Sequence, residues 1–300
     1  MSDVKDNCVN VVTHIRDLRG NSQPKLVLGS DEVIYVLKHY SNPETSNQAF
    51  NDSAGTELYR AYGLSVPHWK PLLLPNELIE IDPGPWNHAR GGICFGSKYL
   101  CQLDNPGSCY DFFPSSRKAA IRNLGSFWLA WLLDVCCQHS ASRHVVFQEN
   151  LVSERDYREY EAFFIDHDCL FGGPSGENRP DPIVARYQTP SFYGEPFPEQ
   201  IYEIKQKILS IDVDSIWGCI AKLPDAWKTQ SALSAFSAAL NRLSTSTFVE
   251  GALIEIARLQ RDSSQGTPTV SLSASESLPP AAHRVLIGSQ VLSTQTIRCT

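Results

Sequence analysis

The 300-residue chain has no long hydrophobic run: its longest uninterrupted apolar stretch, Phe127 to Leu133, stops at Asp134. That falls well short of the ~20 residues a membrane-spanning helix needs. Clustered positive charge is missing too. The 26 Lys and Arg are scattered among 33 Asp and Glu, for a net charge of −7, whereas a surface that neutralises several nucleic-acid phosphates gathers its cations together. The nine cysteines include no Cys-x-x-Cys pair, so reduced and mostly buried thiols are expected in place of a zinc ribbon or a disulfide framework. The opening Met-Ser-Asp-Val-Lys-Asp-Asn has neither the basic nor the apolar region of a secretory signal, which makes the cytoplasm the expected location. The Gly-Lys-Ser/Thr ending of a Walker A loop is absent. What remains, at 42% hydrophobic and 20% charged residues, is a soluble globular chain with room for one large or two modest domains.

Two regions of different character follow one another. From Val9 to about Tyr99 the chain is rich in β-branched residues, Pro and Gly. Val33 to Lys38 is apolar on both faces until Lys38, which predicts a strand covered on both sides. Asn47 to Gly63 reads as a helix, with Phe50, Ala54, Glu57, Leu58 and Ala61 on one face and Gly63 as its stop. Short strand-like runs at Leu72–Leu74, Leu78–Ile81 and Ile93–Phe95 complete a small α+β unit. After Pro114, Ala119 to His139 predicts an apolar helix buried all round, and Val145–Phe147 with Ala162–Ile165 predict a hairpin. The Gly/Pro-rich run Phe171 to Pro198 is long for a structureless loop, which marks it as functional or mobile. Helices are expected over 201–211, 213–223, 231–243 and 247–261. From Asp262 the Ser/Thr-rich composition predicts a disordered tail.

Several residues could carry chemistry. Lys38 ends a covered strand, and Glu57 lies on the inner face of the following helix, an arrangement that lets a carboxylate hold an ammonium against a nucleotide's phosphates. The plain alternative is an edge lysine and a solvated glutamate. Gly20 to Gln23 form a turn that can offer backbone N–H groups to phosphate oxygens, as an ordinary hairpin turn would also look. Asp166 and Asp168 follow an apolar strand, where carboxylates hold Mg²⁺ against a triphosphate or simply cap a turn. Cys136, Cys137, His139 and His144 have zinc-binding chemistry, but adjacent cysteines on a helix point about 100° apart and cannot close on one ion.

Taken in order, these segments resemble the HipA-like kinase domain family of the protein-kinase-like superfamily. Arg19-Gly20-Asn21-Ser22-Gln23-Pro24 resembles its phosphate loop, and Tyr35-Val36-Leu37-Lys38 with Asn42-Pro43 its lysine strand. Gly55-Thr56-Glu57-Leu58 and Gly63-Leu64-Ser65-Val66-Pro67 resemble the helix and step that follow. Phe95 to Leu100 falls where the linker to a second lobe lies, and Leu132-Leu133-Asp134 and Ile165-Asp166-His167 resemble the segments around the catalytic loop and the metal aspartate. The resemblance implies a bilobal α+β fold, with a β-rich N-lobe over 1–100, a helical C-lobe over 101–261 and a tail over 262–300. It also implies ATP and Mg²⁺ as cofactors, held by Gly20, Asn21, Ser22, Gln23, Lys38, Glu57, Ser97 and Tyr99, with Asp166 on the metal, and a protein Ser/Thr as phosphate acceptor. The catalytic loop is degenerate. Ala141 stands at the family's catalytic aspartate and Val146 at its metal-binding asparagine; a one-residue shift brings Ser142 to the first position. None of the three can act as a carboxylate base, so the alternative is a pseudokinase, a nucleotide-binding or regulatory module with a protein partner.

Overall fold

A computed structural model describes residues 8–19, 22–39, 47–86, 89–105, 108–150, 158–173, 185–195 and 197–265. Five strands, β1 (Val9–Asp17), β2 (Lys25–Gly29), β3 (Ile34–Lys38), β4 (Trp69–Leu74) and β5 (Gly92–Lys98), close into a barrel in the order β1-β2-β3-β5-β4. The neighbours run antiparallel except where β1 meets β4, with Val9 opposite Leu72 and Asn10 opposite Leu73. Inward-facing Val11, Val27, Tyr35, Leu37, Leu72 and Cys94 fill the barrel. A Cβ on Gly96 would sit 2.3 Å from Leu72 Cδ1, so only glycine lets Leu72 enter.

Helix α1 (Gln48–Ala61) leaves the barrel after β3 and is buried on nearly every side. The short α2 (Asn76–Ile81) stands where a strand is expected at Leu78–Ile81. Pro75 precedes its first turn, none of its residues is buried, and Ile81 is 81% exposed, so no sheet edge was there to draw it into a strand.

The second region holds a three-stranded sheet, β6 (Cys109–Tyr110), β7 (His144–Glu149) and β8 (Tyr160–Ile165), in which β7 and β8 form the expected antiparallel pair, with His144 opposite Ile165. The apolar helix α3 (Ser126–Cys136) is shorter than the predicted 119–139. Asn123 explains its late start: its side chain exchanges two hydrogen bonds with the backbone of Ala162, which holds the preceding turn out of the helix. At its other end Gln138 adopts φ 55°, which turns the chain away. Helices α4 (Pro198–Leu209), α5 (Val213–Ala221), α6 (Gln230–Ser244) and α7 (Ser246–Gln265) follow. Helix α7 runs past Asp262, and 266–300 of the expected tail lies outside the described residues.

Phe127, Trp128 and Trp131 of α3 anchor the large core. Phe127 packs on Phe147 and Phe164 of the hairpin and on Tyr187 and Phe192. The described part of the 171–198 run is therefore not a free loop: Tyr187, Phe192 and Tyr193 are buried, and the Tyr193 hydroxyl accepts from the Tyr187 backbone at 2.7 Å. Among the described residues no helix is long and apolar enough to cross a membrane.

Candidate nucleotide and metal site

A cleft of about 660 Å³ opens between the barrel and the second sheet, within the size range of small-molecule sites. Its walls are unequal. Leu18 and Val36 from the barrel and Val145, Val146 and Ile165 from the hairpin make an apolar slot beside Tyr99–Cys101, the segment leaving β5. The opposite end is ionic.

There Lys38, at the end of β3, is buried with its ammonium among three carboxylates. It donates to Asp52 Oδ2 at 2.9 Å, to Asp166, and to Asp168 Oδ2 at 3.4 Å. Burial alone would depress the Lys38 pKa, but Asp166, Asp52 and Asp168 together hold it well above the usual lysine value. One positive charge does not balance three negative ones in a dry setting. Asp52 takes the strain: burial, reinforced by the charges of Asp168 and Asp166, lifts it to about 7 against the pull of Lys38. Asp166 is also opposed by burial, yet Lys38 and the 2.7 Å contact from His144 Nδ1 keep it well below the normal carboxylate range.

The backbone that presents these groups is tightly braced. Asp166 has φ 64°, a left-handed conformation that L-residues adopt only when their surroundings impose it. Arg143, fully buried, imposes it by donating from Nη1 to Ile165 O at 2.9 Å and Asp166 O at 3.2 Å. The rest of that guanidinium binds Asp134 of α3, from Nε at 3.0 Å and again from Nη2, and Asp134 also accepts from Tyr59 of α1 at 2.6 Å. From the other side Asn51 of α1 donates to the carbonyls of Asp168, Leu170 and Gly173. Asp52 Oδ1 accepts from the His167 backbone at 3.0 Å. Gly55 makes this approach possible, since a Cβ there would lie 2.6 Å from both His167 Cβ and Leu170 Cδ1.

The sequence-predicted residues divide accordingly. Lys38 and Asp166 converge in the cleft, and Ser97 and Tyr99 line it on the barrel side. Ser22 lines it as well, and neighbouring Gln23 adopts φ 47°; Gly20 and Asn21 lie outside the described residues. Glu57 does not reach Lys38. Its Oε1 accepts from Trp69 Nε1 at 2.7 Å and pairs with Arg60, because five helical residues turn it about 140° away from Asp52. The carboxylate contact to Lys38 expected of Glu57 is made by Asp52. Ala141, Ser142 and Val146 face the cleft, and the segment 137–146 contributes no carboxylate to it. Of the residues weighed for zinc, Cys136, Cys137 and His139 are packed in the core, while exposed His144 turns to Asp166.

Whether Mg²⁺ suits this end can be judged from its donors. Asp166 and Asp168 offer the hard oxygens that Mg²⁺ prefers, and the excess negative charge around Lys38 is what a divalent cation offsets. Among the described residues no three His, Cys, Asp or Glu side chains make a ready metal cage, but Mg²⁺ keeps several waters and needs only one or two carboxylates beside phosphate oxygens.

No protein-family model matches the sequence, and no curated protein matches it. Two solved structures are similar to parts of the chain at low identity. The Helicobacter pylori proinflammatory kinase CtkA superimposes with a TM-score of 0.47 and 13% identity over 83% of this chain and 99% of its own. The Golgi casein kinase with Mn/ADP bound does so with a TM-score of 0.41 and 12% identity over 82% of this chain and 72% of its own.

Proposed function

We propose that the protein is a two-lobed, HipA-like kinase-fold protein that binds Mg-ATP in this cleft and transfers the γ-phosphate to a Ser or Thr hydroxyl of a protein, working in the cytoplasm where free thiols persist. The observation that carries the reading is the convergence of Lys38, Asp52, Asp166 and Asp168 at the ionic end of a slot whose other end is apolar. A nucleotide has the same polarity, a flat base at one end and a charged phosphate chain at the other. In this reading Leu18, Val36, Val146 and Ile165 sandwich the base. Lys38, held in place by Asp52, reaches the phosphates, and Ser22 and Gln23 contribute to the turn above them. Asp166 and Asp168 would hold the magnesium ion, which would supply positive charge against the phosphate chain.

Positioning and electrostatics supply most of the rate in phosphoryl transfer, and a placed general base adds about 10²–10⁴. With Ala141 at the base position, transfer proceeds slower by that factor. A second reading is favoured by Ala141 and Val146 themselves: a pseudokinase that binds nucleotide and acts by contact with a protein partner.

Thermal unfolding with and without Mg-ATP tests the shared premise. Nucleotide at about a hundredfold excess over Kd adds about 2.7 kcal/mol, which raises Tm by several degrees. Lys38→Ala abolishes that rise; a rise that persists in the variant removes Lys38 from the site. Incubation with γ-labelled ATP then separates the two readings, label on the protein or on a supplied substrate supporting the kinase and its absence the binding module.

A further inference from the structure

The loop between β5 and β6 closes on itself at its base. Gln102 N donates to Ser108 Oγ at 3.1 Å, which draws together the residues immediately outside that contact, Cys101 and Cys109. A second tie supports the same closure. Cys109 lies opposite Gln148 in the sheet, and the Gln148 side chain donates to Leu100 O at 2.6 Å. The two thiols share one small buried cluster with Val146. Cys101 also lines the cleft, so of the two sulfurs it is the one beside the space a small molecule can enter. We propose that Cys101 and Cys109 are an oxidation site that closes to an intramolecular disulfide, with a small-molecule disulfide such as oxidised glutathione as the oxidant.

Local chemistry fixes the order of events. The hydrogen bond from Cys109 lowers the Cys101 pKa against the effect of burial, with help from the Tyr99 hydroxyl and the Arg16 guanidinium, whose Nη2 donates to Tyr99 at 3.0 Å. Cys109 is shifted upward by the same bond and by burial. Cys101 is thus the attacking thiolate and Cys109 the resolving thiol. Cys101 attacks one sulfur of the small disulfide and expels the other half as a thiol. Cys109 then gives up its proton, attacks the Cys101 sulfur of the mixed disulfide and expels the second half. One protein disulfide forms, one small disulfide breaks, and the two hydrogens lost by the protein leave on two small thiols. The bond ties the segment leaving the barrel to the first strand of the second sheet, at the apolar end of the cleft.

The full chain is incubated folded with oxidised glutathione, its remaining thiols are alkylated, and the digested peptides are mapped. The expected result is a linked Cys101–Cys109 peptide, with loss of two alkylatable thiols in the wild type and full alkylation of Cys109 in Cys101→Ser. Cys101 and Cys109 alkylated as fully as in untreated protein, Cys101 joined to a different cysteine, or a stable glutathione adduct on Cys101 would each overturn the proposal. The wild-type map decides even where the variant fails to fold, and its outcome is independent of nucleotide binding.

Discussion

Two buried cations stand side by side in this molecule and are treated in opposite ways. Arg143 meets one carboxylate, Asp134, and directs its remaining donors to backbone carbonyls and the His167 ring, so its charge is balanced and its hydrogen bonds are met from within. Lys38 meets three carboxylates and is overbalanced. A closed ledger of charge describes a structural clamp, whereas an open one fits the ligand site proposed above. The clamp lies one layer behind the open site and sets the backbone of Asp166, so the contrast is also a division of labour.

Four experiments press on that contrast. Removing the balanced cation has the largest effect: Arg143→Ala strands Asp134 in the core and is expected to cost about 3–5 kcal/mol, read as a fall in the denaturant midpoint. A double replacement, Arg143→Met with Asp134→Leu, should recover part of it. The next effect is set by pH. Burial, reinforced by Arg143, lowers the His139 pKa from 6.5 to about 4. The unfolded chain therefore binds the extra proton first, and stability that is complete above pH 6.5 falls as pH drops towards 4, by on the order of 3 kcal/mol. His139→Gln should flatten that part of the pH–stability curve. Asp52→Asn removes one charge from the overbalanced cluster and is expected to change stability by about 1 kcal/mol or less while weakening the Mg-ATP-induced rise in Tm. A loss as large as that for Arg143→Ala would mean that the Lys38 cluster is a second clamp. Smallest is Glu57→Gln, which disturbs the contact with Trp69 by roughly 0.5–1 kcal/mol and should leave nucleotide-induced stabilisation unchanged.

Much of the frame was legible in the chain. Lys38 and Asp166 each end an apolar strand, and strand ends are where a sheet delivers side chains to a cleft. The β7–β8 hairpin announced itself by two short apolar runs around a polar segment, and the four last helices by period. What escaped notice has physical causes. Helix α1 is enclosed by barrel, loop and helices on several sides, so the one apolar face that its periodicity marked, with Glu57 on it, was not the face that meets Lys38. Asp52 sits among the polar residues Asn51, Ser53 and Thr56, so nothing in the sequence marked it as buried, and its cation partner became visible only once the helix was seen packed on nearly every side. Closure of the barrel depends on a parallel contact between β1 and β4, about sixty residues apart in sequence, and no local pattern encodes such a pairing. The Arg143–Asp134–Tyr59 network is equally non-local, although an arginine in an otherwise small, polar turn was a hint.

The bare Cα of Gly55 reaches beyond packing. Because helix and loop touch there with nothing between them, α1 cannot slide along the 167–170 segment without carrying it. The lysine's holder and the aspartates therefore travel as a single rigid block. A methyl group at position 55 would force helix and loop apart and pull Asp52 away from the His167 backbone that it now accepts from.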